Sequence, residues 1–163
     1  MKKLWFIVVA VFCGCGDKKL TIEPIGWGIY HVTDSPCIER QYYTIANYEH
    51  IAPDSLYSVL KAYINSISPY EKIVENIKHN PFCDFKVFFY EKSLFANYEK
   101  YLSSYAIRSE MGSIDEYRHK LVAKIYVFGG DNSVFNTVLY DNNKYNNGEV
   151  YITLKKTDTV EVK

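Results

Sequence analysis

From Phe85 to Lys92 the chain alternates, placing Phe85, Val87 and Phe89 on one side and Lys86, Phe88, Tyr90 and Lys92 on the other. Successive residues of an extended chain point to opposite faces, so this segment carries large apolar groups in both directions. That pattern belongs to a central strand, and the neighbouring segments must supply the strands and helices around it.

Upstream, Trp27, Ile29 and His31 alternate with Gly28, Tyr30 and Val32. After a turn at Asp34-Ser35-Pro36, the stretch Arg40 to Tyr48 is rich in Tyr, Thr and Ile, so two strands with a turn between them are expected. The period then changes. Beyond Pro53-Asp54-Ser55, Leu56, Val59, Leu60, Tyr63, Ile64 and Ile67 recur at helical steps and predict an amphipathic helix. Ser68-Pro69-Tyr70-Glu71 has the form of a capping box with proline at the first helical position. It opens a second helix to about His79, with Tyr70, Ile73, Val74 and Ile77 as its apolar face, and Asn80-Pro81 ends it.

Downstream of the central strand, Leu94, Phe95, Tyr98, Tyr101, Leu102 and Tyr105 return to helical spacing after Ser93 and predict a third helix. Ser113 to Glu116 reads as a short helical turn. Leu121, Ala123, Ile125 and Val127 then alternate as a strand, Gly129-Gly130-Asp131-Asn132 is turn chemistry, and Val134 to Tyr140 is a strand. Asp141 to Gly148 reads as a polar loop and Val150 to Lys155 as the final strand, with Lys156 to Lys163 a charged end expected to fray. This order predicts an α+β fold: a mostly antiparallel sheet with about three helices packed on one face and a C-terminal β-meander.

The N-terminus is of another kind. Met1-Lys2-Lys3 is followed by an unbroken apolar run from Leu4 to Phe12 and then by Cys13-Gly14-Cys15-Gly16. A membrane-spanning helix needs about 20 apolar residues, roughly twice this run, so the segment has the proportions of a signal and not of a span. It resembles bacterial lipoprotein signal peptides, in which a small residue precedes the cysteine that becomes lipidated and N-terminal. The resemblance implies cleavage after Gly14 and lipid on Cys15, with Phe12 standing where that family usually carries a small aliphatic residue. It covers about the first sixteen residues and implies an envelope address and a membrane anchor, not an activity. On that reading residues 1–14 are the signal peptide, 15–25 a tether, and 26–163 a single domain. An ordinary secretory signal or an uncleaved anchor are the alternatives.

The full chain of 163 residues has 19 Lys plus Arg against 19 Asp plus Glu. Removing residues 1–14 takes Lys2 and Lys3 and no acid, leaving 17 against 19, or a charge of about −2. No basic surface suited to phosphate backbones follows from this, and a nucleic-acid partner is not expected. Cleavage also leaves Cys37 and Cys83 as the only mature cysteines besides Cys15. In an oxidising compartment they are candidates for a disulfide contributing about 4 kcal/mol in the chain-entropy view, the alternative being two buried thiols.

Constellations for chemistry are sparse. His31, His50, His79 and His119 are isolated and give no metal-ligand spacing, so neither metal nor cofactor is expected. His79, Cys83 and Asp84 lie close in sequence, but a helix end followed by a strand start explains them. Asp141 to Glu149 fails the spacing of a calcium loop, Gly129-Gly130 opens no phosphate-binding helix, and no Gly-x-Ser-x-Gly elbow is present. What stands out is aromatic content, 16 Tyr, 9 Phe and 2 Trp, because tyrosine gathers at recognition surfaces as well as in cores. Candidate binding aromatics are Tyr42 and Tyr43, Tyr98 and Tyr101, and Tyr140 and Tyr145. The leading expectation is a non-enzymatic, membrane-tethered binding or interaction module taking a protein or glycan ligand. A small envelope hydrolase, or an inhibitor or immunity-type partner, are the rivals.

Overall fold

A computed structural model describes residues 19–32, 35–77, 83–93, 120–128, 131–146 and 149–160. In chain order these form β1 (Thr21–Val32), β2 (Ser35–Ala46), α1 (Pro53–Ile67), α2 (Tyr70–Ile77), β3 (Asp84–Glu91), β4 (Leu121–Phe128), β5 (Asp131–Asn146) and β6 (Glu149–Thr159). The six strands make one sheet in sequential order, β1 to β6. The α+β class and the C-terminal meander of β4, β5 and β6 agree with the pattern in the sequence.

The sheet is mixed, because β2 and β3 run parallel while the other four ladders are antiparallel. Parallel neighbours require a crossover of a dozen or more residues, and α1 and α2 form it. The two described helices pack on one face of the sheet. The third expected helix, Leu94 to Tyr105, lies outside the described residues.

β3 is central in both senses. Phe85, Val87 and Phe89 on the helix side are at most 1% exposed, and Phe88 and Tyr90 on the other side are 6% and 3% exposed. The helix-side core joins them to Tyr43 and Ile45 of β2, Leu60 and Ile64 of α1, Ile125 and Val127 of β4 and Phe135 of β5. α2 is fixed by Tyr70, whose ring stacks on Phe135 with centroids 4.1 Å apart and planes 6° off parallel.

Three local outcomes differ from the sequence pattern. The strand β1 starts at Thr21, inside the expected tether, because Leu20 and Ile25 are buried and Ile22 is registered against Ile45. Pro24 is tolerated there because β1 is an edge strand. The expected capping box does not form, since Ser68 Oγ accepts a bond from the buried Gln41 Nε2 at 2.7 Å. Asn65 Oδ1 takes the cap's place and accepts the Tyr70 N–H at 2.9 Å. The strands β5 and β6 are also longer than expected, running through Asn146 and to Thr159, so the polar stretch after Tyr140 and the charged stretch after Lys155 continue as paired strand. The turn after β2 is closed by Asn47 at φ 59, a left-handed conformation that Asn tolerates better than most residues, and its Nδ2 donates to the Lys19 carbonyl at 2.9 Å.

Across the parallel ladder sits a buried ionic cluster. Arg40 of β2, registered beside Lys86 of β3, donates to both Asp84 oxygens, NH2 to Oδ2 at 3.1 Å, and Lys86 Nζ lies 2.7 Å from Oδ2. The three side chains are only 8 to 12% exposed. Removing the carboxylate would strand two cations in a region of little water, which costs more than the pair itself contributes. Asp84→Ala is therefore expected to lower stability by about 3–5 kcal/mol, read as a drop in the urea midpoint with an unchanged slope. A loss below about 1 kcal/mol, the range of exposed ion pairs, would show that the cluster is solvated.

Candidate functional site

A cavity of about 540 Å³ opens where α1, the start of α2 and the end of β6 meet, lined by Tyr57, Lys61, Asn65, Tyr70, Glu71 and Thr159 among others. The helix period creates it. Leu56, Leu60, Tyr63 and Ile64 turn to the sheet, which leaves Ser58, Lys61, Ala62 and Asn65 along one flank of α1. Tyr70 and Glu71 at the start of α2 and Thr159 of β6 complete the lining.

The wall is organised around Asp158. Tyr57 OH donates to Asp158 Oδ2 at 2.5 Å and Lys61 Nζ to Oδ1 at 2.8 Å, so both carboxylate oxygens are engaged from α1. Lys156 Nζ lies 4.8 Å from the Tyr57 ring centroid and 2.5 Å from Asp54 Oδ1. Two residues of β6 thus bind α1, which is why the strand continues where its composition alone suggests fraying.

Burial pushes the Tyr57 phenol up to about 12, aided by its bond to Asp158 and by that carboxylate's charge. Tyr70 is also held above its ordinary value, first by burial and then by the charges of Asp158 and Tyr57. Tyr70 is 3% exposed, and its hydroxyl has no hydrogen-bond partner among the described residues. A buried hydroxyl without a partner costs free energy that a bound polar group could recover.

No family model, curated protein or solved structure matches this chain. Its site must be read from its own residues.

The aromatic candidates have separate fates. Tyr42 is 1% exposed and stacks on Phe88, with centroids 5.4 Å apart. Tyr43 is 2% exposed, meets Tyr63 edge-on and stacks on Phe89, and donates to Gln41 Oε1 at 3.0 Å. Both serve the interior and not a surface patch. Tyr140 is half-buried at a position registered against Ile152, with its phenol raised by burial and then by Tyr126. Tyr145 is registered against Val150. Tyr98, Tyr101 and Cys15 lie outside the described residues. Cys37 and Cys83 stand one step before the first parallel pair, Ile38 with Asp84, and Cys83 is 2% exposed.

Sequence reading missed Tyr57, Lys61, Asn65, Tyr70 and Asp158. The polar flank of α1 was visible in the helical period, but its partner Asp158 lies 101 residues from Tyr57 in a stretch without an apolar pattern. The described residues contain no group of three His, Cys, Asp or Glu side chains able to hold a metal, and no helix long and apolar enough to cross a membrane. His50 is exposed after β2, while His79 and His119 lie outside the described residues.

The folded chain holds the Tyr57 proton more tightly than an unfolded tyrosine, which ionises near 10. Its contribution to stability is therefore complete below about pH 10 and is lost as pH rises through about 12. Asp158→Asn should bring this phenol part of the way back towards 10, because burial remains. The tyrosinate absorbance titration checks this, with Tyr57→Phe identifying the affected residue, and an unchanged curve would remove Asp158 as a cause.

Proposed function

We propose that this chain is an envelope lipoprotein anchored through lipid on Cys15, and that its domain is a non-enzymatic binding module working through the α1–α2–β6 cavity. The observation that carries the second part is the buried, unpartnered Tyr70 hydroxyl at a cavity whose one lysine, Lys61, is already paired with Asp158. Both Asp158 oxygens are engaged by Tyr57 and Lys61, so that carboxylate is held as a structural acceptor and is not free to move a proton. The wall offers a mixture of donors and acceptors beside aromatic rings: the Asn65 amide, the remaining protons of Lys61, the Tyr70 hydroxyl and the Glu71 carboxylate. Such a lining suits an uncharged ligand rich in hydroxyls, the chemistry of a neutral glycan, better than an ion of either sign.

The anchor rests on the resemblance of residues 1–16 to lipoprotein signals. A Cys37–Cys83 disulfide belongs to the same proposal. Its support is the β2–β3 register, which sets these residues beside each other at the mouth of a parallel ladder, where neighbouring strands are about 4.8 Å apart. That separation lies within the range a disulfide spans.

Calorimetric titration of the purified full-length chain in detergent with neutral oligosaccharides should show saturable binding, and Tyr70→Phe should weaken it about tenfold, the equivalent of one neutral hydrogen bond. Absence of binding to all the glycans, or equal binding by the variant, would overturn the reading of the cavity. Mass spectrometry of the chain isolated from the producing cell should find an acylated N-terminal Cys15 and a peptide cross-linked through Cys37 and Cys83. An unmodified Cys15 would defeat the anchor, and two alkylatable thiols the bridge.

A further inference from the structure

The strand β6 ends the strand order, so the backbone N–H and C=O groups along its outer side have no strand partner among the described residues. An open edge invites pairing unless proline, irregularity or covering chain blunts it. The opposite edge, β1, carries Pro24 and a register break between Pro24 and Ile29. By contrast β6 is unbroken against β5 from Leu154 to Thr159, contains no proline, and leaves residues 155, 157 and 159 exposed.

We propose that β6 pairs antiparallel with β6 of a second copy of this chain about a two-fold axis at Thr157. A two-fold axis perpendicular to a continuous sheet keeps each face on its own side. Opposed residues must then share a face, and the axis must pass through a residue. An axis at residue 155 or 156 sets lysine against itself, and one at 158 sets aspartate against itself, which is destabilising directly across a pair. An axis at Leu154 crosses the irregularity between β6 and the Leu139/Tyr140 step of β5. At Thr157 the threonines meet each other, Lys156 meets the partner subunit's Asp158, and Leu154 meets the partner subunit's Val160. The threonine contact lies on the axis and occurs once, and the other two occur twice.

The charges are placed for it. The side chains of Lys156 and Asp158 are 39% and 18% exposed, and each is already oriented by a contact within its own chain. A carboxylate has about four lone-pair sites, so Asp158 can accept the partner subunit's Lys156 without releasing Tyr57 or Lys61. Edge lysines ordinarily keep strands apart. Here an aspartate two residues on the same face turns the lysine into part of a self-complementary code. The paired segment is short, below the roughly 1,000 Å² expected of a stable interface, so the dimer should depend on concentration.

Opposed residues of an antiparallel pair have Cα atoms about 4.5–5.5 Å apart, close enough for a disulfide. Mild oxidation of the full-length chain in detergent should therefore convert Thr157→Cys to a covalent dimer well above the wild-type background. Lys155→Cys and Thr159→Cys face each other and not themselves, so each should stay at background alone and cross-link when mixed. In sedimentation, Asp158→Lys should weaken association at least about tenfold, because it sets lysine against lysine at two symmetry-related pairs, and Lys156→Asp combined with Asp158→Lys should restore it. Equal cross-linking at all three exposed positions, no cross-linking at Thr157, or a monomer at every concentration would overturn the proposal.

Discussion

The two-sided burial of β3 is the constraint on which the architecture rests. A strand with Phe85, Val87 and Phe89 on one face and Phe88 and Tyr90 on the other must have strands on both flanks and shielding above and below. The helical crossover between β2 and β3 meets part of that demand, and its position makes the β2–β3 ladder parallel. β4 then closes the other flank, and the meander follows from short connections.

Polar groups in this interior are placed where the parallel ladder needs registration. Hydrophobic alternation alone allows β2 to slide by two residues against β3 without exposing a core face. The Arg40–Asp84–Lys86 cluster removes that freedom, because a slip of two residues separates the guanidinium from its carboxylate and leaves both in a dry environment. Gln41 has a similar part on the helix side. Its amide bonds Ser68 and Tyr43, so the corner between α1 and α2 is referenced to one position on β2.

Much of this fold was legible in the sequence where periodicity was strong, as in α1, α2, β3 and β4. The candidate site was not. Asp158 gives no local signal, and its role depends on a strand pairing that places it under α1. Tyr42 and Tyr43 mislead for a related reason: adjacent aromatics on a strand suggest that one face is exposed, yet the sheet is shielded on both faces at β2 and β3. The cap of α2 was misread because a Ser-x-x-Glu pattern says nothing of Gln41, which engages the serine from another element. Local signals held for elements whose partners are local, and failed where the partner lies across the sheet.

β3 also has a kinetic character. The pairs β1–β2, β4–β5 and β5–β6 join strands that follow closely in the chain and can form as hairpins. By contrast, Ile38 meets Asp84 across 46 residues and Asp84 meets Phe128 across 44. Neither neighbour of β3 is local, so its docking must wait for two long loops to close, and loop closure slows folding more than it lowers final stability. Until that eight-residue strand is inserted, β2 and β4 each present an open edge. The interval in which this chain can mispair is set by how quickly a strand apolar on both faces reaches the gap between two hairpins already formed.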